Sequence, residues 1–102
     1  MPHSWVGFKS RVQDWIKSNV STDKRILDVG PGSGTYADLL SEYSYQMDAV
    51  EIFAPYIQKF NLREKYDNVY VGDIRTFNIS DYDFIILGDV LEHLTSKMPL
   101  LL

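Results

Sequence analysis

The chain of 102 residues contains no cysteine, so it holds no disulfide framework, thiol nucleophile or zinc–thiolate site. It has no excess of basic charge: 10 Lys and Arg face 14 Asp and Glu, a net of −4. Unaided binding to nucleic acid or to an acidic membrane needs a basic footprint, and none is expected here. Long apolar runs are missing too. The longest aliphatic and aromatic run, Phe84-Ile85-Ile86-Leu87, is far short of a membrane span. The first residues, Met-Pro-His-Ser-Trp, have neither the basic start nor the apolar core of a signal peptide. A soluble, cytoplasmic protein is the expectation. What is present is ordinary globular material, 45% hydrophobic and 24% charged, enough for one core.

Periodicity divides the chain into alternating elements. Residues 4–19 read as an amphipathic helix, with Trp5, Phe8, Val12, Trp15 and Ile16 on one face and Ser4 as its N-cap. Residues 25–29 read as a strand ending in a glycine-rich turn. A helix follows, marked by Tyr36, Ala37, Leu39, Leu40 and Tyr43. A second strand spans residues 47–52. Ala54-Pro55 opens a helix whose inner face is Tyr56, Ile57, Phe60 and Leu62. Residues 69–72 form a third strand. Residues 82–87 form a fourth, a continuous run of the kind buried on both faces of a parallel sheet. Residues 90–94 start another helix. Strands alternating with helices predict an α/β fold with a parallel sheet and right-handed crossovers.

The turn after the first strand is Gly30-Pro31-Gly32-Ser33-Gly34. Glycines there let the chain turn sharply, let the backbone approach a ligand and let the next helix pack closely. The following helix N-terminus offers free N–H groups. The dinucleotide fingerprint G-x-G-x-x-G would need a glycine where Thr35 stands, which disfavours a nicotinamide-binding reading. Asp28 either braces this loop or accepts from a cationic ligand. Glu51 lies 21 residues past Gly30, where an acidic strand end can take ribose hydroxyls, or else is a solvated strand-end charge. Asp73 follows Gly72, a pairing that is also common turn chemistry.

Residues 26–35, Ile-Leu-Asp-Val-Gly-Pro-Gly-Ser-Gly-Thr, resemble the first motif of class I S-adenosylmethionine-dependent methyltransferases. The resemblance continues in register through Val50-Glu51-Ile52, Val71-Gly72-Asp73-Ile74 and residues 82–94. It implies a Rossmann-like sheet of four strands in order 3-2-1-4, with the family's C-terminal strands absent. It implies S-adenosylmethionine as cofactor, held by Asp28, Gly30, Pro31, Gly32 and Gly34 at the turn and by Glu51 and Ile52 at the ribose. Asp73 would accept from the adenine amino group with Ile74 against the ring, and Leu87, Gly88 and Asp89 would line the methionine side.

Asp89, Glu92 and His93 form D-x-x-E-H at a helix start. One reading is a capping arrangement, Asp89 at N-cap and Glu92 at N3. The other is chemical: Asp89 and His93 act as catalytic or substrate-contacting groups. The segment is similar to the E-x-x-E-H of small-RNA and ubiquinone-pathway O-methyltransferases, where it is linked to metal. A metal held by Asp89, Glu92 and His93 is disfavoured, since the only other histidine is His3.

Residues 1–102 read as a single, truncated domain. The resembled family orders its seven strands 3-2-1-4-5-7-6, and this chain supplies the first four. Two functions follow as expectations: methyl transfer to an acceptor the sequence does not name, or a non-catalytic cofactor-binding fragment that works with a partner chain. The fourth strand, written for a central position, and the tail Pro99-Leu100-Leu101-Leu102 predict self-association.

Overall fold

The computed structural model describes residues 3–87. They form α1 (His3–Asn19), β1 (Arg25–Val29), α2 (Thr35–Leu39), β2 (Gln46–Glu51), α3 (Pro55–Lys59), α4 (Leu62–Lys65), β3 (Asn68–Val71) and β4 (Phe84–Ile86). The strands are all parallel and lie in the order β3-β2-β1-β4, as expected. β1 is flanked on both sides. Its Ile26 stands beside Met47 and Phe84, and its Asp28 beside Ala49 and Ile86.

Side chains alternate across a strand, so each face has its own cluster. One face presents Ile26, Met47, Ala49, Val69 and Ile86 to a helical layer. That layer contributes Ile16 and Val20 at the end of α1, Tyr36, Ala37 and Leu40 around α2, and Ile57, Leu62 and Tyr66 around α3 and α4. The other face is narrower. Leu27, Val29 and Val50 are covered by Ile74, Phe77 and Tyr82 from the segment between β3 and β4. There Asp48 is 1% exposed, yet it accepts from Arg25 Nη2 (3.1 Å), Asn68 Nδ2 (3.1 Å) and the Tyr82 hydroxyl (2.7 Å). A buried carboxylate is tolerable only with such partners.

The elements depart from expectation at several points. α1 takes in His3 and so places Ser4 inside the helix rather than at its cap. Trp15 is half exposed and lies against Phe84 with ring centroids 5.6 Å apart, while Ile16 enters the core. The second helix stops at Leu39, before Tyr43, whose N–H instead bonds the Leu40 carbonyl in a turn. The third expected helix is two. Asn61, at φ 52°, takes a left-handed conformation that asparagine tolerates better than most residues, and it breaks α3 from α4. β2 runs from Gln46 and ends at Glu51, one residue before Ile52. β4 is shorter than residues 82–87, and only Ile86 in it is fully buried. The reason is position: among the described residues β4 is an outer strand, with β1 on one side only. The helix expected from Val90 lies outside the described residues. No helix among the described residues is long and apolar enough to cross a membrane.

Candidate functional site

Parallel strands bring their carboxyl ends to one edge, and the loops leaving β1, β2 and β3 meet there. The β1 loop is the glycine turn. Gly30, Gly32 and Gly34 have φ of 62°, 58° and 86°, a left-handed region that side chains rarely adopt. The Gly30 N–H bonds the Val50 carbonyl at 2.9 Å, and the Gly34 N–H bonds that of Pro31 at 2.9 Å. Pro31 is buried between them.

The space beside Gly34 is also narrow. A Cβ there would come within 2.9 Å of Lys65 Cδ. Lys65 crosses the turn from the end of α4, and its Nζ donates to the Ser33 carbonyl and to Asp38 Oδ2, both at 3.0 Å. The next residue, Tyr66, donates its hydroxyl to Asp28 Oδ2 at 2.6 Å. Asp28 and Tyr66 are 2% and 5% exposed. Burial first, and the Asp28 charge second, push the Tyr66 phenol well above its usual range, so it stays a donor. The end of α4 therefore grips the glycine turn through Lys65 and the end of β1 before it through Tyr66. Sequence reasoning named neither. The Leu62 to Tyr66 spacing continues the inner face of the helix, and a buried tyrosine hydroxyl needs a partner; that signal was available.

Glu51 ends β2 and is buried at 4% exposure, which removes the solvated-charge reading. Its Oε2 accepts from the Phe53 N–H at 2.8 Å. Its Oε1 has no hydrogen bond among the described residues. The Gly72 N–H bonds the Glu51 carbonyl at 3.1 Å and so ties the β3 loop to the β2 end. Ile52 and Phe53 leave β2 with their side chains more than half exposed. Asp73 is half-buried, and Ile74 packs under it against the second cluster. The Asp73 carboxylate accepts from the Arg75 side chain and from the Arg75 backbone N–H, which hold its carboxyl down to about 2. The turn role foreseen for Asp73 is thus present. Arg75 is a further residue that sequence reasoning passed over.

The structure therefore gathers Asp28, Gly30, Pro31, Gly32, Gly34, Glu51, Ile52, Asp73 and Ile74 on the three loops of one edge. Gly88, Asp89, Glu92 and His93 lie outside the described residues. The arrangement offers glycine backbone at one strand end, the carboxylate of the largely buried Glu51 at the next and a second carboxylate at the third. It suits an extended ligand with hydroxyl and amino donors.

A family model described as a methyltransferase domain matches residues 7–102. Among solved structures, the chain is similar to the SAM-bound amino pentose methyltransferase of Micromonospora echinaspora involved in calicheamicin biosynthesis (22% identity, TM-score 0.60, 79% of this chain and 35% of that one). It is also similar to an RNA methyltransferase from Salinibacter ruber in complex with S-adenosyl-L-homocysteine (20%, 0.60, 94% and 66%). A third is a TehB-like SAM-dependent methyltransferase from Corynebacterium glutamicum (20%, 0.61, 91% and 59%). At these identities the likeness is one of fold. The chain spans 35% to 66% of the length of these three proteins. No curated protein sequence matches it.

Proposed function

The chain belongs to the methyltransferase domain family, and on that premise we propose that the edge formed by the β1, β2 and β3 loops binds S-adenosylmethionine for methyl transfer. The observation that carries the reading is Glu51: a carboxylate 4% exposed, with one oxygen left without a hydrogen bond among the described residues, beside a turn of three left-handed glycines. An acceptor oxygen left unpaired on a largely buried residue gains from a donor such as a ribose hydroxyl. The glycine turn lets the ligand's amino-acid portion approach the main chain with no Cβ in the way. Asp73 would accept from the adenine amino group, with Ile74 beneath the ring.

When bound, the cofactor supplies a methyl group on a sulfonium that is already a good leaving group. The chain's part is to position: fix the ribose through Glu51, hold the turn through Lys65 and Tyr66, and align the methyl with an acceptor. From the sequence alone, Gly88 and Asp89 are assigned to the methionine side. Asp89 and His93 are assigned to acid–base or substrate contact. A cytoplasmic location belongs to the same proposal. The methyl acceptor is left open.

Calorimetry tests the reading. S-adenosylhomocysteine is expected to bind more tightly than NAD, and binding of neither below millimolar concentration refutes it. Glu51→Ala is expected to weaken S-adenosylhomocysteine by about 1–3 kcal/mol, the cost of losing a buried acceptor. Unchanged affinity removes Glu51 from the site. A non-catalytic binding fragment is the second reading. It predicts cofactor binding with no methyl transfer to small-molecule, protein or RNA acceptors until a partner chain is added.

A further inference from the structure

Among the described residues the Asp73 carboxylate has one partner, Arg75, and it engages both oxygens. Its Oδ1 accepts from the Arg75 backbone N–H at 2.9 Å and from Nε at 3.0 Å. Its Oδ2 accepts from the same Nε at 3.1 Å and from Nη2. A carboxylate offers about four lone-pair positions, and a single residue supplies four donor contacts to them. The turn beneath is tied separately. The Thr76 N–H bonds the Asp73 carbonyl at 3.0 Å, and Phe77 sits between the Tyr70 and Tyr82 rings at 5.5 and 6.4 Å. The Arg75 side chain has no such anchor and is 83% exposed. Among the described residues it is held by the carboxylate alone.

We propose that Arg75 is a latch on the adenine position of the site, a residue that sets ligand affinity by competing with the ligand's amino group for Asp73. The inference rests on the cofactor reading above. An exocyclic amine has no free acceptor at Asp73 while the guanidinium stays in place. It binds the fraction of molecules in which Arg75 has swung into solvent, and the apparent dissociation constant rises by the inverse of that fraction. An exposed ion pair is weak, so the open fraction is substantial and the effect moderate.

The test is calorimetry on the whole chain with two ligands: S-adenosylhomocysteine, and S-inosylhomocysteine, in which an oxo group replaces the amine. Arg75→Ala is expected to tighten S-adenosylhomocysteine by about two- to five-fold, the span an exposed pair allows. S-inosylhomocysteine, whose oxo group cannot donate to Asp73, should gain nothing or weaken. Arg75→Lys, which keeps the charge and loses the planar fork, should fall between. In an Asp73→Asn background the gain from Arg75→Ala should vanish, because the two residues act as a pair. Equal or weaker S-adenosylhomocysteine binding by Arg75→Ala overturns the latch. If wild type binds and Glu51→Ala weakens it, that failure is the latch's own. If wild type does not bind S-adenosylhomocysteine at all, the cofactor reading fails and the latch with it.

Discussion

Replacing Tyr66 by Phe removes one oxygen and keeps the buried ring. The lost group is the donor 2.6 Å from Asp28 Oδ2, between residues 5% and 2% exposed. A hydrogen bond to a charged group in such a place contributes about 1.5–3 kcal/mol. In a domain of this size each kcal/mol moves the melting temperature by roughly 4–8 °C. A loss of about 2 kcal/mol therefore predicts a fall of roughly 8–16 °C at neutral pH. The pH dependence sharpens the test. The folded-state phenol pKa is raised by burial and by the Asp28 charge. The wild type keeps this contribution in full below about pH 10, the unfolded value, and loses it as pH rises toward the folded one. The variant has no phenol at position 66 and lacks that slope. Above pH 10 the two stabilities should converge by about 1.4 kcal/mol per pH unit. Thermal melts followed by circular dichroism from pH 7 to 11 measure both. A neutral-pH difference under about 2 °C, or a gap that stays constant above pH 10, refutes the account of how α4 holds the glycine turn.

The other predictions concern the turn, the second face and the sheet edge. Gly34→Ala should lower stability by at least about 1–2 kcal/mol, since φ is 86° and the new Cβ meets Lys65 Cδ; a melt within 1 °C of wild type, on the order of experimental error, speaks against it. Asp48→Ala should cost about 3 kcal/mol, because it leaves the half-buried Arg25 guanidinium without its carboxylate. A urea midpoint that does not move would show the network to be dispensable. Self-association through β4, an outer strand among the described residues, or through Leu100, Leu101 and Leu102 should appear as a mass above 11.8 kDa in light scattering. A monomer at all concentrations removes it.

Much of this protein is written in local sequence. The run Arg25-Ile26-Leu27-Asp28-Val29 makes a strand, three glycines in five residues make a turn with free backbone, and alternation of strands with helices makes a parallel sheet. These features depend on side-chain periodicity and on the conformational freedom of glycine. Both are properties of neighbours in the chain, so they were legible. The positions of Glu51 and Asp73 at strand ends were legible for the same reason. The motif resemblance named residues that the fold brings to one edge of the sheet.

What stands opposite a residue was decided elsewhere. Whether Glu51 is solvated or buried depends on Phe53 and Gly72 folding back over the β2 end. Tyr66 reaches Asp28 across 38 positions, and Lys65 reaches Ser33 across 32. The break at Asn61 sets the direction of α4, and with it the reach of both side chains. Arg75 lies only two residues from Asp73, but that its side chain folds back onto both carboxylate oxygens shows only in the structure. Pattern and propensity determined which elements form and in what order. Distance in space determined which polar groups are paired and which carboxylates are buried, because hydrogen bonds and burial act over a few ångströms whatever the separation along the chain.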